Sequence, residues 1–282
     1  MTAKKLGIAA ALALLHFSAN SIVIRHDVDD QQYAATPQDF PPLATLYKIG
    51  VHGTLINPEW VVTAGHAVFC MEKNDTIKIG EQWAKIDARY THADYVLGDD
   101  NDIALLKLAA PVANIKPAKL YRGVDETDQS IWFIGSGGTG NGNEGQTVSY
   151  SENNGTLRKA ENKIEKVTDN EIFFVFDEGT GALPLEGVSG NADSGGPAYK
   201  TINDSYYLLG VSSRADSFFK DVGEYGVDEV YSRISYHANW IDNVIKGDSE
   251  FIANHTSQHH FAQENIEDNL AAACEQIGFP SS

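Results

Sequence analysis

Three short segments of this 282-residue chain carry side chains that together could perform nucleophilic catalysis. Ser194 stands in the segment GNADSGGP, on a tight glycine-bracketed turn and directly after a carboxylate. A serine hydroxyl is a weak nucleophile at neutral pH, so it needs a nearby base and a group that orients that base. His66 in the segment TAGHA can serve as the base, and Asp102 in the segment DIALL can serve as the acid.

The order of the three residues along the chain is informative. Triads of this type are known in three chain orders, and the order His, Asp, Ser is one of them. The flanking segments GTLINPEWVV, LGVSS and VYSRI, the last followed by Trp240 and Ile241, support the same assignment. Over residues 22–247 the chain resembles the chymotrypsin/trypsin family of serine endopeptidases. This resemblance implies hydrolysis of peptide bonds in a protein or peptide substrate.

The fold expected from the sequence is all-β. Short apolar runs rich in Val, Ile, Tyr and Phe, such as residues 131–134 and 172–176, recur between turn-forming residues and are typical of many short strands. The family resemblance implies two six-stranded antiparallel β-barrels with a C-terminal helix, and an active site in the cleft between the barrels. We place the N-terminal barrel at about 32–118 and the C-terminal barrel at about 119–247.

The composition excludes some classes of partner. The formal net charge is −18, from 39 acidic and 21 basic residues. Such a chain has no basic field with which to displace the counterions of nucleic acid, so we expect no nucleic-acid partner. The oligomeric state does not follow from the sequence.

Residues 1–21 have the pattern of a secretory signal peptide. Lys4 and Lys5 precede an apolar run over residues 6–15, and the segment ends in the small-residue sequence Ala-Asn-Ser. An uncleaved membrane anchor is the alternative. No later segment approaches the roughly 20 apolar residues that a spanning helix needs. We therefore expect a secreted protein, extracellular or periplasmic, without membrane contact after signal removal.

Signal removal would expose Ile22 as a new amino terminus. In the family, such an Ile-Val terminus inserts beside the carboxylate that precedes the serine, which is Asp193 here. No Arg or Lys precedes Ile22, so signal removal itself could create the active terminus without a separate zymogen stage. The alternative is that Ile22 is simply the first residue of a strand and that a later cut activates the enzyme.

The oxyanion hole implied by the resemblance consists of the backbone N–H groups of Ala192 and Ser194. The family usually has glycine where Ala192 stands, and a Cβ restricts the conformations of that peptide. Loss of one donor would reduce turnover roughly a hundred- to a thousandfold. A protease-like binding protein with weakened or lost activity is therefore the competing hypothesis.

The resemblance also indicates where the substrate side chain before the scissile bond would bind. Val188 corresponds to the base of the specificity pocket, so the aspartate that would select Arg or Lys is absent there. Glu229 stands where glycine is common on the back wall. Ser213 is expected to hydrogen-bond the buried Asp102. The predicted substrate-binding residues are Val188, Ser189, Ser213, Arg214, Ala215 and Glu229.

Two interpretations of this pocket stay open from the sequence. In the first, Glu229 supplies an off-centre carboxylate, and the pocket accepts Lys, Arg or aromatic side chains. In the second, Glu229 pairs with Arg214 or faces solvent, which leaves an apolar pocket above Val188.

The C-terminal tail, residues 248–282, contains the second of the two cysteines of the chain. Secreted proteins commonly form disulfides, so Cys70 and Cys274 could tie the tail to the N-terminal barrel. Two free thiols are the alternative, because a sequence does not test the geometry that a bridge requires. We predict a short helix in the tail around residues 265–277.

No cofactor and no metal site are predicted. The segment GSGGTG over residues 135–140 matches a dinucleotide-binding string, but the residues after it are not typical of the helix that such a site needs. We interpret it as a mobile surface loop near the cleft. His255, His259 and His260 lack a partnered ligand pattern.

Overall fold

The computed structural model describes residues 21–216, 220–257, 274–275 and 278–280. Strands dominate these residues, and the all-β fold class with two barrel-forming halves and a C-terminal helix is confirmed. Most of the proposed signal peptide and much of the tail lie outside the described residues. The strands of the first half are β1 (Ile22–Ile24), β2 (Leu43–Tyr47), β3 (Gly50–Asn57), β4 (Trp60–Thr63), β5 (Thr76–Ile79), β6 (Gln82–His92) and β7 (Ala104–Leu108).

Strands β2 to β7 form a closed barrel. The strands pair antiparallel in the order β5-β2-β3-β4-β7, and β6 closes the ring by pairing with both β5 and β7. Alternate side chains along each strand point inward and fill the interior, as expected for a six-stranded barrel. Leu46, Leu55, Val61, Ile77 and Leu106 are buried in this core.

The strands of the second half are β8 (Lys119–Leu120), β9 (Ser130–Gly135), β10 (Thr139–Asn141), β11 (Gly145–Val148), β12 (Arg158–Lys163), β13 (Lys166–Val167), β14 (Glu171–Val175), β15 (Gly187–Val188), β16 (Pro197–Ile202), β17 (Ser205–Asp216) and β18 (Asp228–Arg233).

Most of these strands form a curved sheet in the order β12-β9-β16-β17-β18-β14-β13, with β8 added parallel to β17. The core of this half contains Phe133, Ile172, Phe174, Leu209 and Tyr231.

A third, small sheet has the strand order β11-β10-β1-β15 and holds the first strand of the peptidase region against the second half. Strand β1 lies between β10, which it pairs with in parallel, and β15, which it pairs with antiparallel. The segment 135–140, predicted as a mobile surface loop, is instead largely buried and leads into β10. That prediction failed because its glycines serve close packing: a Cβ on Gly137 would lie 2.5 Å from the carbonyl oxygen of Asn191.

Three helices complete the described residues: α1 (Tyr150–Asn153), α2 (Ile234–Lys246) and α3 (Ser249–His255). Helix α2 buries Ile234, Ile241 and Val244, spaced to form one face, against the first barrel. It ends at Gly247, whose φ of 73° suits a left-handed helix cap. Strand β19 (Thr256–Ser257) then pairs with β6. In the described part of the chain, no helix has the length and apolar character that crossing a bilayer requires.

The two cysteines form a disulfide, with a Cα–Cα distance of 5.5 Å between Cys70 and Cys274. The alternative of two free thiols is therefore excluded in this structure. The bridge holds a piece of the tail on the first barrel, where Phe279 packs near Tyr47 with ring centroids 5.6 Å apart. The helix predicted around residues 265–277 lies outside the described residues, except for Cys274 and Glu275, which are helical.

Candidate active site

His66 and Asp102 meet at the edge of the first barrel. His66 begins a short 3-10 turn that follows β4, and Asp102 lies in the loop that leads into β7. The ring nitrogen Nδ1 of His66 is 2.7 Å from Oδ2 of Asp102. The backbone N–H of His66 also donates to Oδ1 of Asp102, at 2.9 Å. Two bonds to one carboxylate fix both the position and the rotation of the imidazole.

Asp102 is 2% exposed, and it accepts hydrogen bonds from residues of both halves of the molecule. The hydroxyl of Ser213 on β17 donates to its Oδ2 at 2.7 Å, and the hydroxyl of Ser232 on β18 donates to its backbone carbonyl at 2.7 Å. Burial on its own would raise the pKa of Asp102, but His66 and these hydrogen bonds lower it below the usual value. The carboxylate is therefore ionised at neutral pH.

The pKa of the His66 imidazole is shifted upward, opposite to the shift of Asp102. Burial alone would lower its pKa, but the attraction of the Asp102 carboxylate raises the pKa above the usual histidine value. The side chain keeps 22% of its surface exposed. It is therefore held by an ionised partner on one side and is accessible from the other.

Ser194 lies in the turn between β15 and β16, which packs against the histidine segment. Its backbone carbonyl accepts a hydrogen bond from the N–H of His52 at 2.8 Å. Gly195 has a φ of 73°, and a Cβ at that position would lie 2.1 Å from Oγ1 of Thr63. Only glycine allows this approach, which brings the serine turn of the second half against the end of β4.

The orientation of two peptides in this turn decides where their N–H groups point. The carbonyl of Asn191 accepts from Gly138 N at 2.7 Å, and the carbonyl of Asp193 accepts from Gly196 N at 3.0 Å. In a planar trans peptide the N–H points opposite to the C=O. The N–H groups of Ala192 and Ser194 therefore point away from these interior contacts. Both residues line the adjoining pocket.

Asp193 is buried in a nest of backbone donors. The N–H of Gly137 donates to its Oδ1 at 2.6 Å and the N–H of Gly190 to its Oδ2 at 2.9 Å. The backbone N–H groups of Ser136 and Ile22 are also close enough to lower its pKa. Burial raises the pKa of Asp193 to about 7, although these hydrogen bonds oppose the shift. Ile22 is thus already beside Asp193 while its peptide bond to Ser21 is intact.

A pocket of about 100 Å³ opens beside Ser194 and contains Glu229. Glu229 is 2% exposed, and within the described part of the chain its Oε1 lacks a hydrogen-bond partner. Burial, together with the nearby Asp193, raises the pKa of Glu229 well above its usual value. The lining residues are Ser189, Gly190, Asn191, Ala192, Ser194, Ser212, Ser213, Arg214, Ala215, Val222 and Glu229.

Two features of the predicted pocket differ in the structure. Arg214 pairs with Glu171 at 2.6 Å rather than with Glu229, and Glu229 does not face solvent. Val188 is fully buried in a cluster with Val23 and does not line the cavity, because its strand pairs with β1. Sequence reasoning did not identify Val222, which lines the pocket, or Glu171, which pairs with Arg214.

The comparisons with known proteins agree with this geometry. The family model described as Trypsin matches residues 30–241. The chain belongs to the trypsin family. As a member, it is a serine-type endopeptidase, a hydrolase.

Individual relatives match at moderate identity. A tryptase of Mus musculus is 29% identical over 70% of this chain and 78% of its own length. The serine protease SSP1 of Scolopendra subspinipes is 24% identical over 82% of this chain and 89% of its own length. An ovochymase of Halocynthia roretzi is 26% identical over 67% of this chain, which spans 13% of that much longer protein.

A further residue of this trypsin-family site was missed by sequence reasoning. His52 on β3 is completely buried, and its Nε2 accepts from the N–H of Ser136 at 3.0 Å and lies 3.8 Å from Oδ1 of Asp193. Burial lowers the pKa of His52 to about 4, so the ring is neutral at neutral pH. It supports the loop around Asp193 as a hydrogen-bond acceptor rather than as a counter-ion.

Proposed function

We propose that this protease uses Ser194 as nucleophile, His66 as general base and Asp102 as the orienting acid. The observation that carries the proposal is the 2.7 Å contact between His66 Nδ1 and Asp102 Oδ2. An ionised carboxylate there assigns the proton to Nδ1, which leaves a lone pair on Nε2. A neutral imidazole in that tautomer can accept the proton of the serine hydroxyl.

The reaction proceeds in two halves. The oxygen of Ser194 bonds to the scissile carbonyl carbon while its proton passes to His66, and the N–H groups of Ala192 and Ser194 stabilise the resulting oxyanion. The C–N bond then breaks, and the leaving amine takes the proton from His66. Water attacks the remaining ester with His66 again as base. The acid product leaves, and the proton returns to Ser194.

A catalytically weakened binding protein is the second candidate, and Ala192 is the observation that favours it. This residue has a φ of 72°, a region that an alanine Cβ disfavours. The hydrogen bond from Gly138 to the preceding carbonyl supports activity, because it opposes rotation of the peptide that carries the Ala192 donor.

Labelling with an organophosphonate separates the two candidates. We expect covalent modification of the processed protein at Ser194, detected by mass spectrometry, and no modification of the Ser194→Ala variant. A correctly processed, folded sample that does not label would favour the binding protein. Ser151→Ala, on an exposed helix, is the matched control and should label like the parent.

We further propose that residues 1–21 direct secretion and that their removal activates residues 22–247, with 248–282 as the tail. Ser21 and Ile22 are 0% and 1% exposed, so a protease could not reach the bond between them in the folded protein. Removal during export, before folding, avoids this obstacle. It would also relieve the left-handed φ of 61° at Ile22, which is unfavourable for a β-branched residue.

N-terminal sequencing of secreted material tests export and activation together. We expect Ile-Val-Ile at the start of active protein. A start within residues 1–20, combined with full activity, would overturn activation by signal removal. An intracellular, unprocessed product would overturn the proposed secretion.

For specificity, we propose that Glu229 accepts a Lys or Arg side chain before the scissile bond. Its Oε1 has no partner among the described residues, and a buried polar atom without a partner is costly until a ligand satisfies it. Cleavage of chromogenic peptides ending in Arg, Phe or Ala checks this. We expect Arg to be preferred, and the Glu229→Gln variant to lose that preference. Cleavage after Ala alone would contradict the role of Glu229.

A further inference from the structure

A second and larger cavity, of about 450 Å³, lies on the other side of the serine turn from Glu229. We call it the lysine cavity, because Lys48 and Lys78 both line it. Its remaining lining residues are Ala35, Thr36, Pro37, Leu43, Thr45, Gly80, Ser136, Gly155, Thr156, Leu157 and Pro280.

The charge of this cavity is opposite to that of the molecule. The chain carries a net charge of −18, yet among the residues that the structure describes the lining includes two lysines and neither Asp nor Glu. Lys78 contacts Glu81 at 3.1 Å, and the side chain of Glu81 is 64% exposed. Thr45 and Thr156 add hydroxyl groups to the lining, whereas the hydroxyl of Thr36 already donates to Asp39 at 2.9 Å.

The lysine cavity is connected to the candidate active site through a short chain of contacts. Ser136, which lines the cavity, lies against Gly50, and a Cβ on Gly50 would be 2.9 Å from the carbonyl oxygen of Ala192. That carbonyl accepts from the N–H of Val51 at 2.6 Å. Lys48 stands in the turn between β2 and β3, immediately before these residues. The turn that carries Ala192 and Ser194 therefore separates the lysine cavity from the Glu229 pocket.

The C-terminal tail supplies one wall of the cavity. Pro280 lines it, and the preceding Gly278 accepts a hydrogen bond from Lys48 N at 3.1 Å. Gly278 also donates to the carbonyl of Cys274 at 3.1 Å. The disulfide between Cys274 and Cys70 thus anchors the wall to the first barrel.

We propose that the lysine cavity binds an acidic side chain of the substrate, on the leaving-group side of the scissile bond. This rests on the proposed function, since the residue before the bond occupies the Glu229 pocket and the chain after it must pass across Ser194 to the opposite side. Two ammonium groups select a carboxylate, and Leu43 and Leu157 cover the methylene stem of Asp or Glu. The enzyme thereby combines a carboxylate pocket before the bond with a cationic pocket after it.

Matched peptides test the proposal. Substrates share the same residue before the scissile bond and carry Glu or Gln at the second, third or fourth position after it. We expect kcat/KM to favour Glu at one or more positions by about three- to fivefold, the range of a partly exposed ion pair. This preference should shrink as salt is raised.

In the Lys48→Gln/Lys78→Gln variant, the Glu-to-Gln ratio should fall to about one. Lys85→Gln, an exposed lysine outside the cavity, should keep the parent ratio.

A binding measurement makes the result independent of turnover. Leaving-group peptides labelled with a fluorophore are titrated into Ser194→Ala protein, and anisotropy should report tighter binding of the Glu peptide than of the Gln peptide. The difference should fall when both lysines are replaced, and also in Cys70→Ala/Cys274→Ala, which frees the tail wall.

Cleavage without any Glu preference would overturn the lysine cavity and leave the proposed function intact. Absence of both cleavage and phosphonate labelling would overturn the proposed function, while the binding assay would still decide the cavity.

Discussion

The molecule buries two aspartates within its catalytic region, and they differ in whether a group that can carry a positive charge lies beside the carboxylate. Asp102 is bonded to an imidazole and to the hydroxyl of Ser213, and its pKa is lowered. Asp193 is bonded to neutral backbone N–H groups, and its pKa is raised to about 7. Four neutral donors do not compensate for burial, whereas one group that can carry a positive charge does.

The difference indicates what the Asp193 pocket lacks in the uncut chain. The backbone N–H of Ile22 is already close enough to lower the pKa of Asp193, but as an amide it carries no charge. Cutting the bond after Ser21 would convert that nitrogen to an ammonium group without moving it far. The pocket would then match the Asp102 site, with an ionised carboxylate beside a cation.

Of the changes that test this comparison, removing the charge of Asp102 should have the largest effect on turnover. Asp102→Asn keeps the shape but favours the wrong tautomer of His66, so we expect kcat to fall about ten-thousandfold with little change in KM or stability. Steady-state kinetics and thermal unfolding measure both quantities. Asp99→Asn, in the same acidic loop, is the control and should retain activity. A loss of less than tenfold in Asp102→Asn would remove this residue from the mechanism.

Freeing the Ile22 amine should change how stability depends on pH. In the uncut chain the folded pKa of Asp193, about 7, lies above its unfolded value, so the folded state binds more protons between pH 4 and 7. The free energy of unfolding should therefore fall as pH rises through this window. Asp193 contributes up to about 4 kcal/mol of that fall.

The cut chain should lose this dependence, because an ammonium group lowers the pKa of Asp193. Urea unfolding of the Ser194→Ala protein, prepared with and without the residues before Ile22, compares the two forms from pH 4 to 8. His52 lies 3.8 Å from Asp193, and Asp193 also acts on the pKa of Glu229, so the difference between the two curves reports the three groups together. Parallel curves for the two forms would contradict the proposed pairing.

Crowding the Asp193 pocket should give the next largest effect. A Cβ on Gly135 would lie 2.1 Å from Oδ1 of Asp193, so Gly135→Ala must displace the carboxylate and the serine turn attached to it. We expect kcat to fall roughly a hundredfold, the size of losing one oxyanion donor. Gly181→Ala, where a Cβ meets nothing within 4 Å, is the control. Unchanged kinetics in Gly135→Ala would separate Asp193 from the oxyanion hole.

Deleting one hydrogen bond to Asp102 should have the smallest effect. Ser213→Ala removes a donor to a charged acceptor but leaves His66 in place, so we expect kcat/KM to fall about tenfold. Because Asp102 stays ionised beside His66, the rising limb of the pH–activity profile should keep its position, and the loss should appear in the height of the profile. A profile that is unchanged in both height and position would assign Ser213 to packing alone.

Sequence patterns were sufficient for the family, the all-β class and the meeting of His66 with Asp102. These depend on local features: short motifs, strand-length apolar runs, and glycines placed where the chain must approach itself closely. The same reasoning failed for residues 135–140, because glycines that permit buried close packing resemble those of a flexible loop. It also missed His52, since a single histidine in a strand does not reveal that its ring reaches the Asp193 loop.

By itself, the sequence determined which chemical groups this protein has and in which order they occur. Only the tertiary structure decided the charge states and partners of those groups: Glu229 without a partner, Arg214 on Glu171, and Cys70 bridged to Cys274. The physical reason is that pKa values, ion pairs and disulfides depend on distances and burial between residues far apart in the chain. Such distances are set by how the two halves pack, and no local pattern encodes them.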